Sequence, residues 1–307
     1  MRPMDALGDL CMHHMHKSPR PELTSARCGR GTYVMLRYMR FFASTLAVLA
    51  TVLALAGCGS DSSTADDDRG DLLVSAATSL KSAFTTYGEQ FEEAEAQFSF
   101  AGSDELAAQI RTGAKPDVFA SANTKLPDEL FEQGLVERPQ VFAANRLVLA
   151  VPADDAKVAS LDDLTKQGVT IAIGAAGVPV GAYTRKVLDR LGASERKAIL
   201  ANVRSEEPDV GGISAKLAQG AADAGFLYIT DVTATNGRLK AIELPARLQP
   251  AVAYGVAIVK GAPHRRDAAA FVAGLLEGAG ADALKAAGFA GAPADGGKAT
   301  APGTPQQ

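Results

Sequence analysis

The alternation of short apolar stretches with amphipathic stretches most restricts how this chain can fold. Residues 72–77 are apolar, Thr78 and Ser79 follow, and apolar residues then recur at helical spacing as far as residue 91. The same order returns at 98–110, with Ser103 between strand and helix. Such alternation is typical of β-α-β units and parallel sheets. We therefore predict an α/β protein, with Thr78 or Ser79 and then Ser103 as helix N-caps.

The alternation falls into two blocks, which predicts two lobes. The second block begins near residue 161 and contains predicted strands at 169–174 and 224–228 and a helix at 210–219. Strands at 146–151 and 251–259 are the candidate crossovers between the lobes around a cleft. The predicted division is 71–150 with 251–291 for lobe 1 and 151–250 for lobe 2. The tail, 292–307, is rich in Gly, Pro, Ala and Gln and is predicted to be disordered.

Residues 41–57 form an uncharged apolar run preceded by Arg37 and Arg40, which is the layout of a secretory signal. An uncleaved anchor is the alternative, but the run is at the short limit for a spanning helix. It ends in Leu55-Ala56-Gly57-Cys58, which resembles the bacterial lipobox. We predict a lipoprotein signal peptide at 35–57, lipidation of Cys58, and a flexible tether at 58–70. The protein would then be exported and held at the outer face of the cytoplasmic membrane.

Met35 directly precedes this signal, so residues 1–34 are expected to be an over-extended N-terminal segment. Cys11 and Cys28 both lie in that segment, so the exported body has no cysteine beyond Cys58 and no disulfide framework. From Cys58 onward the chain has 24 Lys and Arg against 32 Asp and Glu, a formal charge of −8. Nucleic-acid binding is largely driven by Lys and Arg contacts to phosphate, so this balance argues against a nucleic-acid partner.

Several helices are predicted to begin beyond the carboxyl ends of strands, where ligands bind in open α/β sheets. Ser79, Ser103, Val180 and Val210 stand at four of these helix starts, and Tyr228 ends a predicted strand. Converging helix starts could bind a small oxyanion through amides and hydroxyls without Lys or Arg. A plain N-cap or a core packing role is the alternative for each of these residues. The spacing alone thus indicates an oxyanion or other small-ligand site.

At several motifs in series, over about residues 72–290, the chain resembles the molybdate-binding proteins of ABC transporters. The motifs are Ser75-Ala76-Ala77-Thr78-Ser79-Leu80, Phe98-Ser99-Phe100-Ala101-Gly102-Ser103, Pro116-Asp117-Val118-Phe119-Ala120-Ser121, Asn145-Arg146-Leu147-Val148-Leu149, Val178-Pro179-Val180-Gly181, Asp209-Val210, Gly225-Phe226-Leu227-Tyr228 and Gly288-Phe289. The resemblance implies a type II periplasmic binding protein fold whose two lobes hold a bare tetrahedral dianion, molybdate or tungstate.

The resemblance also implies roles for individual residues. Ser79 and Ser103 would donate hydroxyls, Val180 and Val210 backbone amides, and Tyr228 its hydroxyl. Val180 replaces the family's Ala, and Thr78 is a second hydroxyl beside Ser79, so which of the two points inward stays open. No cofactor or resident metal is implied. The implied partners are an ABC permease with its ATPase, and the protein is expected to be a monomer and not an enzyme.

The sequence has three rival interpretations. A receptor for sulfate or another tetrahedral oxyanion would use a similar site, and Asp104 could accept the proton of a phosphate. A secreted serine hydrolase could use Ser79 or Ser103, but His264 is the one histidine of the exported body, and a Gly-x-Ser-x-Gly elbow is absent from the sequence. A regulatory effector domain would need a DNA-binding segment where the export signal stands.

Overall fold

The computed structural model describes residues 70–154 and 156–293 of the chain. The predicted signal peptide, Cys58, the tether up to residue 69 and the tail from residue 294 lie outside the described residues. Among the helices that are described, none has the length and apolar character needed to cross a membrane.

One sheet has six strands in the order β11-β4-β10-β3-β1-β2. The strands are β1 (Asp71–Ala77), β2 (Glu95–Ala101), β3 (Val118–Ser121), β4 (Gln140–Asn145), β10 (Val252–Ile258) and β11 (Ala290–Gly291). Strand β1 pairs in parallel with β2 and β3, whereas β10 is antiparallel to β3 and β4. The carboxyl ends of β1, β2 and β3 therefore lie at the same edge of this sheet.

Five helices accompany the six-stranded sheet. They are α1 (Lys81–Gly88), which follows a 3-10 turn (Thr78–Leu80), α2 (Ser103–Arg111), α3 (Lys125–Glu132), α8 (Arg265–Leu276) and α9 (Ala279–Ala286). Phe84 of α1 and Phe271 of α8 are fully buried, and their rings meet edge to face with centroids 5.7 Å apart. This aromatic contact, worth about 0.5–1.5 kcal/mol beyond burial alone, joins the first helix to the end of the chain.

The other sheet has five strands in the order β7-β6-β8-β5-β9. The strands are β5 (Leu147–Pro152), β6 (Ile171–Gly174), β7 (Val203–Glu207), β8 (Ala224–Tyr228) and β9 (Leu239–Glu243), and the helices are α4 (Pro179–Asp189), α5 (Ala193–Ala201), α6 (Val210–Ala218) and α7 (Ile229–Thr233). Strands β6, β7 and β8 run parallel, while β5 is antiparallel to β8 and β9. Both sheets are thus mixed rather than purely parallel.

The chain passes between the sheets twice, as the two-lobed prediction requires. The first passage is at Arg146, because Asn145 pairs in the first sheet and Leu147 pairs with Tyr228 in the second. The second passage lies between β9 and β10, at residues 244–251. The predicted strands at 146–151 and 251–259 exist, but each pairs within one sheet. The chain therefore changes sheet at residue 146, four residues before the lobe boundary that was predicted after residue 150. An apolar pattern in the sequence does not show which sheet a strand will join.

Candidate functional site

The five predicted ligand residues line a single cavity between the two sheets. Ser79 and Ser103 come from the six-stranded half, and Val180, Val210 and Tyr228 come from the five-stranded half. Each follows or ends a strand at its carboxyl end, the edge where parallel strands present ligand sites. The cavity is small, with a volume of about 20 Å³ available to the centres of water-sized molecules.

The two serines do not act as helix caps, contrary to the sequence prediction. Ser103 is the first residue of α2, Gly102 is the N-cap, and no side-chain cap hydrogen bond forms at either described helix start. Ser103 Oγ instead accepts the Ala122 amide hydrogen at 3.1 Å. Because this bond uses an oxygen lone pair, the hydroxyl proton of Ser103 remains available to a ligand.

Ser79 is held by a short chain of hydrogen bonds. Its Oγ lies 2.9 Å from the Tyr254 hydroxyl, and Asn145 Nδ2 donates to the same tyrosine oxygen at 3.4 Å. With Asn145 donating to Tyr254 and Tyr254 donating to Ser79, the proton of Ser79 is free to point into the cavity. Asn145 Nδ2 also donates to Thr230 Oγ1 at 2.9 Å, which ties this chain to the five-stranded half.

Val180 and Val210 both stand in the first turn of a helix. Val180 is the second residue of α4, after Pro179, and Val210 is the first residue of α6. Amides in the first turn of a helix have no intrahelical acceptor, and the helix dipole gives this end a partial positive charge. Asp209 caps α6 by accepting the Gly212 amide hydrogen at 3.0 Å, which leaves the Val210 amide for a ligand.

Gly181 allows the start of α4 to sit against the end of β6. A Cβ at this position would overlap the carbonyl oxygens of Gly174 and Ala175. Glycine is therefore required in the Val-Pro-Val-Gly turn by close backbone approach. Val180 lines the cavity, and its side chain is buried in the core.

Tyr228 carries a hydroxyl that is ready to donate. The side chain is fully buried, and its oxygen has no hydrogen-bond partner within the described part of the chain. Burial, together with the neighbouring Tyr254, raises the pKa of Tyr228 well above its usual value, so the phenol stays protonated. The rings of Tyr183 and Tyr254 lie with centroids 6.4 and 5.8 Å from that of Tyr228 and hold it in place.

The cavity is lined almost entirely by neutral groups. Among the described residues that line it, Asp209 is the only charged one, and none is Lys, Arg or His. An anion placed here would be bound by hydroxyls, amides and helix dipoles rather than by an opposite charge. A small tetrahedral oxyanion suits this donor set, because its oxygens accept hydrogen bonds in several directions.

The two halves touch at one side of the cavity. A Cβ on Gly102 would stand 2.5 Å from the carbonyl oxygen of Pro208, so the backbones of the two halves are in close contact there. The Asp104 carboxylate lies at this contact, near Gly102 and Gly177, and is not among the residues that line the cavity. Asp104 therefore lies beside the cavity, behind Gly102, rather than in its lining.

His264 is positioned away from both serines. Its Nδ1 lies 3.2 Å from Asp117 Oδ2, and its amide donates to Asp117 Oδ1 at 2.9 Å. Asp117 precedes β3 and bonds the Leu73 amide near the start of β1, at the amino ends of these strands. Ser79 and Ser103 lie at the carboxyl ends, so the histidine cannot serve them as a general base.

Some residues of the cavity wall were not predicted as site residues from the sequence. Ala122, Asp209 and Gly102 line it, and Tyr254 supports Ser79 from behind. Asp209 could have been found, because an Asp directly before the predicted helix start at Val210 is typical of a helix N-cap. Tyr254 lies in a continuous apolar strand and gave no signal that separates it from a core residue.

Comparison with known proteins agrees with this geometry. The profile of the family described as bacterial extracellular solute-binding protein matches residues 72–290. The chain belongs to this family. It is therefore a solute-binding component of transport and not an enzyme, and the family name indicates export from the cytoplasm.

Named relatives of this solute-binding protein make the resemblance more specific. The molybdate-binding protein ModA of Mycobacterium tuberculosis H37Rv is 36% identical over 259 residues, which cover 80% of this chain and 97% of the relative. The protein of the same name from Escherichia coli K12 is 31% identical over 206 residues, covering 63% and 79%. The predicted resemblance to molybdate-binding proteins is thereby confirmed.

Solved structures confirm the predicted two-lobed binding-protein fold. The periplasmic molybdate-binding protein of Azotobacter vinelandii aligns with a TM-score of 0.64 at 24% identity, covering 72% of this chain and 98% of that one. The sulfate-binding protein SubI of Mycobacterium tuberculosis aligns with a TM-score of 0.63 at 14% identity, covering 72% and 86%. Such low identities establish the shared fold, and the ligand must be argued from the site.

Proposed function

We propose that the protein captures molybdate, and also tungstate, outside the cytoplasm and delivers it to an ABC permease for import. The observation that carries the proposal is the convergence of the five donors from both halves on one cavity without a lining cation. The name of the relatives at 36% identity supports molybdate as the cargo.

The donor set favours fully deprotonated dianions. Ser79, Ser103 and Tyr228 offer hydroxyl protons, and Val180 and Val210 offer amide protons. A protonated phosphate would also need an acceptor, and the one carboxylate among the described lining residues, Asp209, uses Oδ1 for the Gly212 amide hydrogen and has Oδ2 left for that role. Sulfate and molybdate need no acceptor, so hydroxyl and amide donors alone are enough to bind them.

Capture depends on both halves. Two of the proposed donors belong to the six-stranded half and three to the five-stranded half, so an anion bound to all five holds the halves together. The ligand thus stabilises the closed arrangement over an open one by the difference in its contacts with the two. Closure also removes water from the anion, which strengthens each remaining hydrogen bond. A permease can then recognise the loaded protein by its shape.

Lipid anchoring is a further part of the proposal, and it rests on Cys58 at the end of the apolar run. A lipid there would keep the receptor, as a monomer, beside the permease and its ATPase. The test is the Cys58→Ala variant in producing cells. We expect it to appear in the medium or in the soluble fraction, whereas the unchanged chain sediments with membranes. If the same proportion of the Cys58→Ala variant and of the unchanged chain is found in the membrane fraction, the lipid anchor is contradicted.

The function is tested by thermal unfolding of the purified protein with molybdate, tungstate, sulfate or phosphate at equal concentration. A ligand at about a hundred times its Kd adds roughly 2.7 kcal/mol, which raises the midpoint by about 5–11 °C for a domain of this size. We expect a shift with molybdate and tungstate only. A shift with sulfate would keep the oxyanion receptor and replace its cargo, and no shift with any anion would reject the site.

A further inference from the structure

Thr78 is a cavity residue to which the five-donor set assigns no role. It begins the 3-10 turn after β1 and lines the cavity beside Ser79. Its Oγ1 is buried and has no hydrogen-bond partner in the described part of the chain. A buried hydroxyl without a partner is unfavourable in a folded protein, so such an atom requires an explanation.

Thr78 lies against the opposite half of the protein. Its methyl carbon Cγ2 is 3.3 Å from the point where a Cβ on Gly211 of α6 would stand, so the two residues are neighbours across the cleft. A β-branched side chain has few χ1 positions, so a neighbour at the methyl group restricts the directions that the hydroxyl can take.

Ser79 does not compete with Thr78 for the same role. The Ser79 hydroxyl is bonded to Tyr254 at 2.9 Å, so one of its oxygen positions is engaged before any ligand arrives. The Thr78 hydroxyl has no such engagement, and its proton and both lone pairs are uncommitted. Both residues line the same cavity, so both hydroxyls are within the same small region of the cleft.

We propose that Thr78 is a sixth donor to the bound oxyanion and that its contact with Gly211 makes this bond form only in the closed protein. The inference rests on the oxyanion-receptor function proposed above. It predicts that the hydroxyl of Thr78 contributes to affinity and not to the stability of the protein without ligand.

The test compares Thr78→Val, Thr78→Ala and Thr78→Ser with the unchanged protein by calorimetric titration with molybdate. Thr78→Val keeps the shape and removes the hydroxyl, and we expect its Kd to rise about 5- to 100-fold, with a similar rise for Thr78→Ala. Thr78→Ser keeps the hydroxyl and is expected to bind within about threefold of the unchanged protein. Thr85→Val is the matched control, because Thr85 is exposed on α1 and does not line the cavity.

Unfolding without ligand supplies the second readout. Loss of a buried, unpartnered hydroxyl should leave the Tm of Thr78→Val equal to or above that of the unchanged protein. A lowered Tm together with unchanged affinity would show that the Thr78 hydroxyl is structural, and it would overturn the proposal. Unchanged affinity of both Thr78→Val and Thr78→Ala at unchanged Tm would overturn it as well. If the unchanged protein does not bind molybdate, the proposed function is wrong. That result can be distinguished from failure of the Thr78 proposal, in which the unchanged protein binds and the variants bind equally well.

Discussion

Replacing Gly102 with alanine should block closure of the cleft while leaving each half folded. The new Cβ would stand 2.5 Å from the Pro208 carbonyl oxygen, and ordinary contact begins at 3.4 Å, so the two backbones must separate by about 0.9 Å. Gly102 has φ −59° and ψ 135°, a conformation that alanine adopts without strain. The cost therefore falls on the contact between the halves and on the Asp104 side chain, whose Oδ1 would be 2.9 Å from the new Cβ, and not on the local backbone.

A separation of this size is large compared with the tolerance of a hydrogen bond. A bond of about 2.9 Å lengthened by 0.9 Å passes the limit beyond which it contributes little. If the donors of one half lose two such bonds to the anion, at about 1–1.5 kcal/mol each, affinity falls by roughly 30- to 150-fold. Calorimetric titration of Gly102→Ala with molybdate measures this loss, and small-angle scattering measures whether the loaded variant stays more extended.

Gly192→Ala is the matched control. Gly192 is also a helix N-cap, with φ −63° and ψ 147°, but a Cβ there would meet no atom within 4 Å. We expect this variant to bind like the unchanged protein. Wild-type affinity in Gly102→Ala would refute the reasoning, because it would mean that binding does not require the contact between Gly102 and Pro208.

Three further predictions concern single side chains. Ser103→Ala should weaken molybdate binding by about 1–3 kcal/mol, measured by calorimetry, and it also leaves the Ala122 amide without its acceptor. Tyr254→Phe should weaken binding by about 0.5–1.5 kcal/mol in the same assay, because Ser79 loses its partner. Burial raises the pKa of Asp231 to about 7, whereas an Asp in the unfolded chain ionises near 4. The free energy of unfolding should therefore fall as pH rises from about 4 through 7. The Tm of Asp231→Asn, compared with that of the unchanged protein, should therefore become higher as pH rises over this range. A Tm difference that does not change with pH would contradict the raised pKa.

The sequence predicted the elements whose patterns are local. Strand β8 was predicted at its observed bounds, Ala224–Tyr228, and α6 was predicted to begin at its observed first residue, Val210. Strands β4, β7 and β9 were not predicted. Of these, β7 alternates between half-buried and exposed residues, and its sequence, Val-Arg-Ser-Glu-Glu, is mostly charged. It forms because β6 offers a parallel partner, and pairing with a distant strand leaves no mark in a short window of sequence.

In the candidate site, too, the residues with local motifs could be predicted, whereas the contacts that support them could not. Ser79, Ser103, Val180, Val210 and Tyr228 could be named from motifs, and the structure brings all five to one cavity. The sequence could not show that Ser103 is supported by Ala122 or Ser79 by Tyr254. These contacts join residues 19 and 175 positions apart, and only the assembled fold brings them together.

The lack of a cation among the described lining residues has an electrical consequence. A captured dianion changes the formal charge of the chain from Cys58 onward from −8 to −10, and no lining Lys, Arg or His neutralises it locally. Loaded and empty receptors would then differ in surface potential as well as in conformation, and an ion-exchange column could separate them. A permease face rich in Lys or Arg would attract the loaded form more strongly. Release would need no ion pair to be broken inside the receptor, because opening the cleft returns the anion to water.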